Sequence, residues 1–127
     1  MALVQPSQSK TYANIEMKQG EDFELILTMS SPWTSASKTY SAKIVKDFAG
    51  GTFLYNGVTE TVAAFDSVTA SGIDGGTITL KIGGVNTQKY PDSFEGYWDL
   101  IEKDNNGNFI KQAQGEVSVD STATPTF

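Results

Sequence analysis

Three residue types are missing from this chain: cysteine, histidine and arginine. Without Cys there is no disulfide framework, no thiolate nucleophile and no Cys-based zinc or iron–sulfur site. Without His the commonest metal ligand and the usual general base near neutral pH are gone. Without Arg the planar fork used against phosphate and guanine is gone too. The positive charge that remains is nine lysines against 15 Asp and Glu, a net charge of −6. Counterion release from a phosphate backbone needs cations in number, so this balance argues against a nucleic-acid partner. No apolar run approaches the roughly 18 residues that span a bilayer, and the opening MALVQPSQSK is too short in apolar residues for a signal core. No N-x-[ST] sequon occurs. The expectation is a protein made in a cytoplasm, with no membrane or nucleic-acid partner, no metal and no cofactor.

What is present alternates with the period of strands. Ala13, Ile15 and Met17 alternate with Tyr12, Asn14 and Glu16. After Gln19-Gly20, residues Phe23, Leu25, Leu27 and Met29 share one face. A helix would scatter these groups around its circumference. Ser30–Lys38 is a small, polar, Pro-containing loop. Tyr40, Ala42 and Ile44 begin a third strand, which Gly50-Gly51 breaks, and Thr52–Tyr55 is a short piece ending at Asn56-Gly57. Val62–Val68 is apolar enough for one strand, read as an edge strand, before the Ser71–Gly76 run. Ile78, Leu80 and Ile82 mark the clearest strand of all. Val85–Tyr90 forms one helical turn stopped by Pro91. Trp98 and Leu100 anchor the next strand, Asn106-Gly107 turns a hairpin, and the return strand carries Phe109, Val117 and Val119 with a bulge or bend at Gly115. The 127 residues suit one domain, 1–127, with a core over about 11–120 and flexible ends at 1–10 and 121–127. Seven to eight short strands with almost no helix predict an all-β fold, an Ig-like antiparallel β-sandwich.

Catalytic devices are few. Asp92, Glu95, Asp99 and Glu102 lie among Tyr90, Phe94, Tyr97 and Trp98, a mixture that a glycan hydrolase would use. Asp99 and Glu102, however, have opposite parity on one strand, and solvated acids beside core aromatics are the plainer reading. In Asp104-Asn-Asn-Gly-Asn108, setting Gly107 at the sixth position of a calcium loop leaves Ala113 where the bidentate Glu belongs. Gly72–Gly76 and Gly83-Gly84 lack the Lys-Ser/Thr and helix of a phosphate loop and read as turns. No base is spaced to activate a serine. Trp33 stands outside the alternation, either as a lid on the core or as a contact residue. With Tyr90 and Phe94 it makes up the candidate partner-contact set. In a carbohydrate-binding reading, Trp33, Tyr40 and Tyr97 are the stacking platforms.

The order of these pieces resembles a domain of tailed-bacteriophage virion proteins. Gln19-Gly20 precedes the Phe23-Leu25-Leu27 strand, and Ala42-Lys43-Ile44 follows. Gly76-Thr-Ile-Thr-Leu-Lys-Ile82 leads to the Asn86–Tyr90 turn, then Trp98-Asp99-Leu100, the Gly107 hairpin and Gly115-Glu-Val-Ser-Val119. Over roughly Gln19 to Thr122 the chain is similar to the N-terminal domain of baseplate upper proteins and to related tail, fibre and decoration modules. The resemblance implies a non-enzymatic structural protein in the virion, made in the host bacterial cytoplasm. It would dock on tail, baseplate, neck fibre or capsid through protein–protein contacts. Its partners would be other virion structural proteins in a symmetric homo-oligomeric assembly. The long Ser30–Lys38 loop and the lack of a C-terminal fibre depart from the pattern and favour an adaptor or decoration subunit. Two other readings stand beside it: a carbohydrate-binding module and a small carboxylate-pair glycan hydrolase.

Overall fold

The computed structural model describes residues 11–28, 39–71, 76–103 and 106–121. Within them the chain runs β1 (Thr11–Tyr12), β2 (Ile15–Lys18), β3 (Phe23–Thr28), β4 (Thr39–Val45), β5 (Phe53–Tyr55), β6 (Val58–Glu60), β7 (Val62–Ala64), β8 (Ser67–Ser71), β9 (Thr77–Ile82), α1 (Gly84–Thr87), β10 (Phe94–Lys103) and β11 (Phe109–Asp120). The larger sheet has the order β1-β11-β10-β4-β7, with β2 also on β11, and the smaller has the order β3-β9-β8. A separate β5–β6 hairpin turns on Asn56 (φ 57°) and Gly57 (φ 78°), the left-handed pair of a type I′ turn. This is the all-β Ig-like sandwich that the alternation predicts. β3 and β9 pair in one sheet, and β10 and β11 pair beside β4 in the other, the pairing of an Ig-like sandwich.

The core lies between the sheets. Ile78, Leu80 and Ile82 of β9 face Ile44 of β4 and Trp98 and Leu100 of β10, all of them buried. Their spacing of two is what places them all inside.

Four local expectations change. The N-terminal alternation is interrupted after Tyr12, and both of its pieces run parallel to β11 rather than antiparallel. The interruption has a cause: Trp98 Nε1 donates to the Ala13 carbonyl at 2.7 Å, and Asn14 Oδ1 accepts the Glu116 N–H at 3.1 Å. The Val62–Val68 strand is two strands. β7 borders the larger sheet and β8 borders the smaller. The chain crosses at buried Phe65, whose ring meets Trp98 edge-on at 6.1 Å. A seven-residue strand cannot serve two sheets without such a break. The bulge falls at Gln112, where the β10–β11 register slips between Leu100 and Ile101, and not at Gly115. Gly115 is instead a close-approach site, because a Cβ there would clash with the Ala13 carbonyl. Ser121 is tied down by its N–H to Asp92 Oδ1 at 3.0 Å. The remainder of the expected flexible ends, 1–10 and 122–127, lies outside the described residues.

One end of the sandwich is closed by a knot of hydrogen bonds between the Gln19-Gly20 turn and the 83–90 segment. Gln19 Nε2 donates to the Tyr90 carbonyl at 2.7 Å. Buried Thr87 accepts the Gly20 N–H at 3.1 Å and donates to the Glu21 carbonyl at 2.8 Å. Thr87→Val keeps the shape and strips both bonds from the Gly20 N–H and the Glu21 carbonyl. We expect a loss of about 1–2 kcal/mol, read as a lower urea midpoint at unchanged m-value, with Thr87→Ser largely recovering it.

Candidate functional site

The sequence-derived site residues scatter. Trp33 lies outside the described residues. Tyr90 and Phe94 are 2% and 4% exposed, which corrects their assignment as partner-contact residues. With Phe53 and Tyr55 they form an aromatic cluster in which the Phe53 and Tyr90 rings stack at 6.1 Å and the Phe53 and Phe94 centroids are 5.0 Å apart. The β5–β6 hairpin covers them, tied down by Asn56 N–H to the Lys89 carbonyl at 2.7 Å. Tyr40 is half-buried with its hydroxyl 3.2 Å from Glu102 Oε1, so it is not an open stacking platform. Tyr97 alone of the described candidates reaches the surface, at 36% exposure.

The four carboxylates do not converge. Glu102 is buried and also accepts from Gln112 Nε2 at 3.2 Å. Glu95 and Asp99 lie on the opposite face of β10, four residues and roughly 13 Å apart along the strand. Asp99 sits 3.6 Å from Lys111 Nζ, and Asp92 accepts the Ser121 N–H. Sequence reasoning missed a closer pair, Asp22 and Asp66. They accept the N–H groups of Gly84 and Gly83, each at 2.7 Å, and Asp66 also accepts from Asn86 Nδ2 at 2.6 Å. They edge a cavity of about 430 Å³, but these bonds use them to hold the start of α1. No periodicity marks them. The only signal was the Gly83-Gly84 turn, which needs acceptors for its free N–H groups.

Three tyrosines carry raised hydroxyl pKa values. Burial is the leading cause for all of them, reinforced at Tyr40 by Glu102, at Tyr55 by Asp66 and at Tyr90 by Tyr55 and Asp66. The neutral form is favoured in the fold, so the unfolded chain loses these protons first as pH rises. Their contribution to stability is therefore complete below the ordinary tyrosine pKa near 10 and is lost as pH climbs through the raised values. We expect the denaturation midpoint to fall progressively above pH 10. Three of the five tyrosine equivalents should ionise, by absorbance at 295 nm, only as the strand signal disappears.

Among the described residues, exposed aromatic and charged side chains gather on the outer face of the larger sheet. Tyr97 sits beside Val45 on one side and Glu116 on the other, with Val62 next to Val45. Phe48, 48% exposed, packs on Tyr97 at 5.2 Å, and Lys111 Nζ lies 4.4 Å from the Phe48 ring centroid. Tyr12 joins the face beside Gln114. At one end a groove of about 510 Å³ runs between Glu16, Lys46, Glu95, Tyr97 and Glu116. Among the described residues no group of three or more Asp and Glu side chains is placed to hold a metal ion.

No family model matches the chain, and no curated protein matches it. Among solved structures it is similar to a family 123 glycoside hydrolase from Clostridium perfringens, described for glycolipid glycan hydrolysis. That likeness has a TM-score of 0.50 at 9% identity and covers 88% of this chain but 23% of the hydrolase chain. The chain is also similar to the extracellular domain of the voltage-gated sodium channel β4 subunit, at TM-score 0.44 and 12% identity, covering 96% of this chain and 99% of that one. A further sodium channel β-subunit structure, from work on multimeric cell-adhesive interactions, has TM-score 0.41 and 9% identity, covering 98% and 100%. At such identities the likeness is one of fold.

Proposed function

We propose that this chain is a non-enzymatic structural module of a tailed-bacteriophage virion that docks through the outer face of its larger sheet. The observation carrying the docking role is the exposed patch of Tyr97, Phe48, Val62 and Tyr12 on that face. An exposed apolar patch set among charges is the usual form of an interaction site. The virion assignment draws its support from the order of strand and turn motifs. Two of those motifs, Gln19-Gly20 and the Thr87 turn, bond each other directly. Mass spectrometry of purified particles and of their tail and capsid fractions tests the reading. A fixed copy number in one fraction is expected, and absence from all of them would overturn it.

The paired Tyr97 and Phe48 rings also favour a second reading, a carbohydrate-binding module, in which they replace the expected Tyr40 platform. Glycan-array binding that disappears on Tyr97→Ala would move the assignment there. A broad array without signal would close that reading.

A further inference from the structure

We infer that the occupant of the outer face is a second copy of this chain, related by a two-fold axis that lies between the two facing sheets and runs across their strands. The inference rests on that face being the docking surface, and adds its partner and orientation. The register orders charge along the strands. Glu95 lies beside Ser118, which neighbours Glu16, and Glu116 lies beside Tyr97. Moving along β10, Asp99 comes beside Lys43, Ile101 beside Lys111 and Lys103 beside Phe109. The Glu95 end carries Glu16, Asp47, Glu95 and Glu116 with Lys46 among them and is net negative, while the other end carries Lys43, Lys103 and Lys111, with Asp99 held on Lys111. Tyr97 lies in the row of Glu116, one row from Asp99, with Phe48 packed on it.

This layout chooses the symmetry. A two-fold axis along the strands would stack acid on acid and lysine on lysine. An axis across the strands inverts one copy's strand direction and keeps each strand over itself. Passing at the row of Asp99 and Gln114, it lays Glu95 over Lys103 and Glu116 over Lys111 of the other copy, and symmetry makes each contact twice. The chain's net charge of −6 opposes self-association, but this face holds four of the nine lysines, Lys43, Lys46, Lys103 and Lys111. Five strand positions by five side-chain rows span roughly 24 by 34 Å at ordinary sheet spacings. That is the scale of a standard interface, about 800 Å² per partner. Exposed charge pairs contribute little each, so Tyr97 over Ile101 of the other copy, made twice, supplies affinity and the charges set direction.

Sedimentation equilibrium of the whole chain tests this, with circular dichroism melts confirming that each variant folds. A concentration-dependent dimer is expected, weakened about tenfold as salt rises from low to high ionic strength. Glu95→Lys with Glu116→Lys should set lysine over lysine and leave the chain monomeric. Lys103→Glu with Lys111→Glu should set acid over acid and again leave it monomeric. Mixed together, the two variants should form a one-to-one heterodimer, since each carries the charge that the other lacks. If a reversal unfolds the chain, the neutral pair Glu95→Gln with Glu116→Gln gives the same reading as a weakened, salt-insensitive dimer. A chain monomeric at all concentrations, a dimer indifferent to these changes, or reversed variants that fail to pair would each overturn the inference. A monomer found in fixed copy number within particles would sink the self-partner while leaving the virion reading intact. A dimer absent from particles would do the reverse.

Discussion

Truncating Trp98 to alanine is expected to cost about 3–5 kcal/mol, the largest loss expected among the described side chains. The indole is 0% exposed at the centre of β10 and meets Phe65 edge-on. Its Nε1–H is also the donor to the Ala13 carbonyl, 85 positions away in sequence. The variant loses the buried ring, opens a cavity between the sheets and leaves that carbonyl without its donor. Trp98→Phe separates the terms: it keeps most of the apolar volume and loses the hydrogen bond, so a smaller loss of about 2 kcal/mol is expected. Urea denaturation followed by far-ultraviolet circular dichroism measures both. A Trp98→Phe variant as stable as the parent would show that the Ala13 bond contributes nothing.

Gly115→Ala is the second large effect, expected at about 3 kcal/mol or more. Its φ is not in the left-handed region, so the reason is space and not backbone freedom. A Cβ would run into the Ala13 carbonyl oxygen, and would lie 2.6 Å from that carbonyl carbon and 2.8 Å from Trp98 Nε1. Backbone, not a flexible side-chain tip, must move. The movement peels β1 and β2 from β11, because Ala13 N–H bonds the Gln114 carbonyl at 3.1 Å on the same stretch. Hydrogen exchange distinguishes this from general destabilisation. Protection should fall first over Ala13–Lys18 and persist in β3 and β9. Since both substitutions break the same Trp98–Ala13–Gly115 contact, their combined cost should be less than the sum.

That contact shows where reading the sequence reached its range. Trp98, Leu100, Ile78, Leu80 and Ile82 were legible as core because a period of two places alternate residues on one face, whatever the neighbouring strand. Gly115 was legible as special and misread as a bulge, since nothing local says that the Ala13 backbone will lie against it. The true bulge at Gln112 carries no glycine and no turn signal. The same limit applied to the site. Tyr90 and Phe94 were candidate contact residues, but the β5–β6 hairpin folds over them. Phe48 had no strand to belong to, and its role follows only once β4 and β10 bring it onto Tyr97.

Composition excluded thiol and imidazole chemistry, and alternation with glycine turns determined the strands, their inward faces and the sandwich class. Those properties depend on residue type and on spacing within a few residues, which the chain carries in one dimension. The tertiary structure decided what depends on pairing. It set the parallel seating of β1 and β2 on β11, the crossing at Phe65, and the use of Asp22 and Asp66 on the Gly83-Gly84 amides. It also assembled the outer face, where β4, β10 and β11 set acids at one end and lysines at the other. Strand register is a long-range choice, and a shift of one residue would have turned every one of those charges inward.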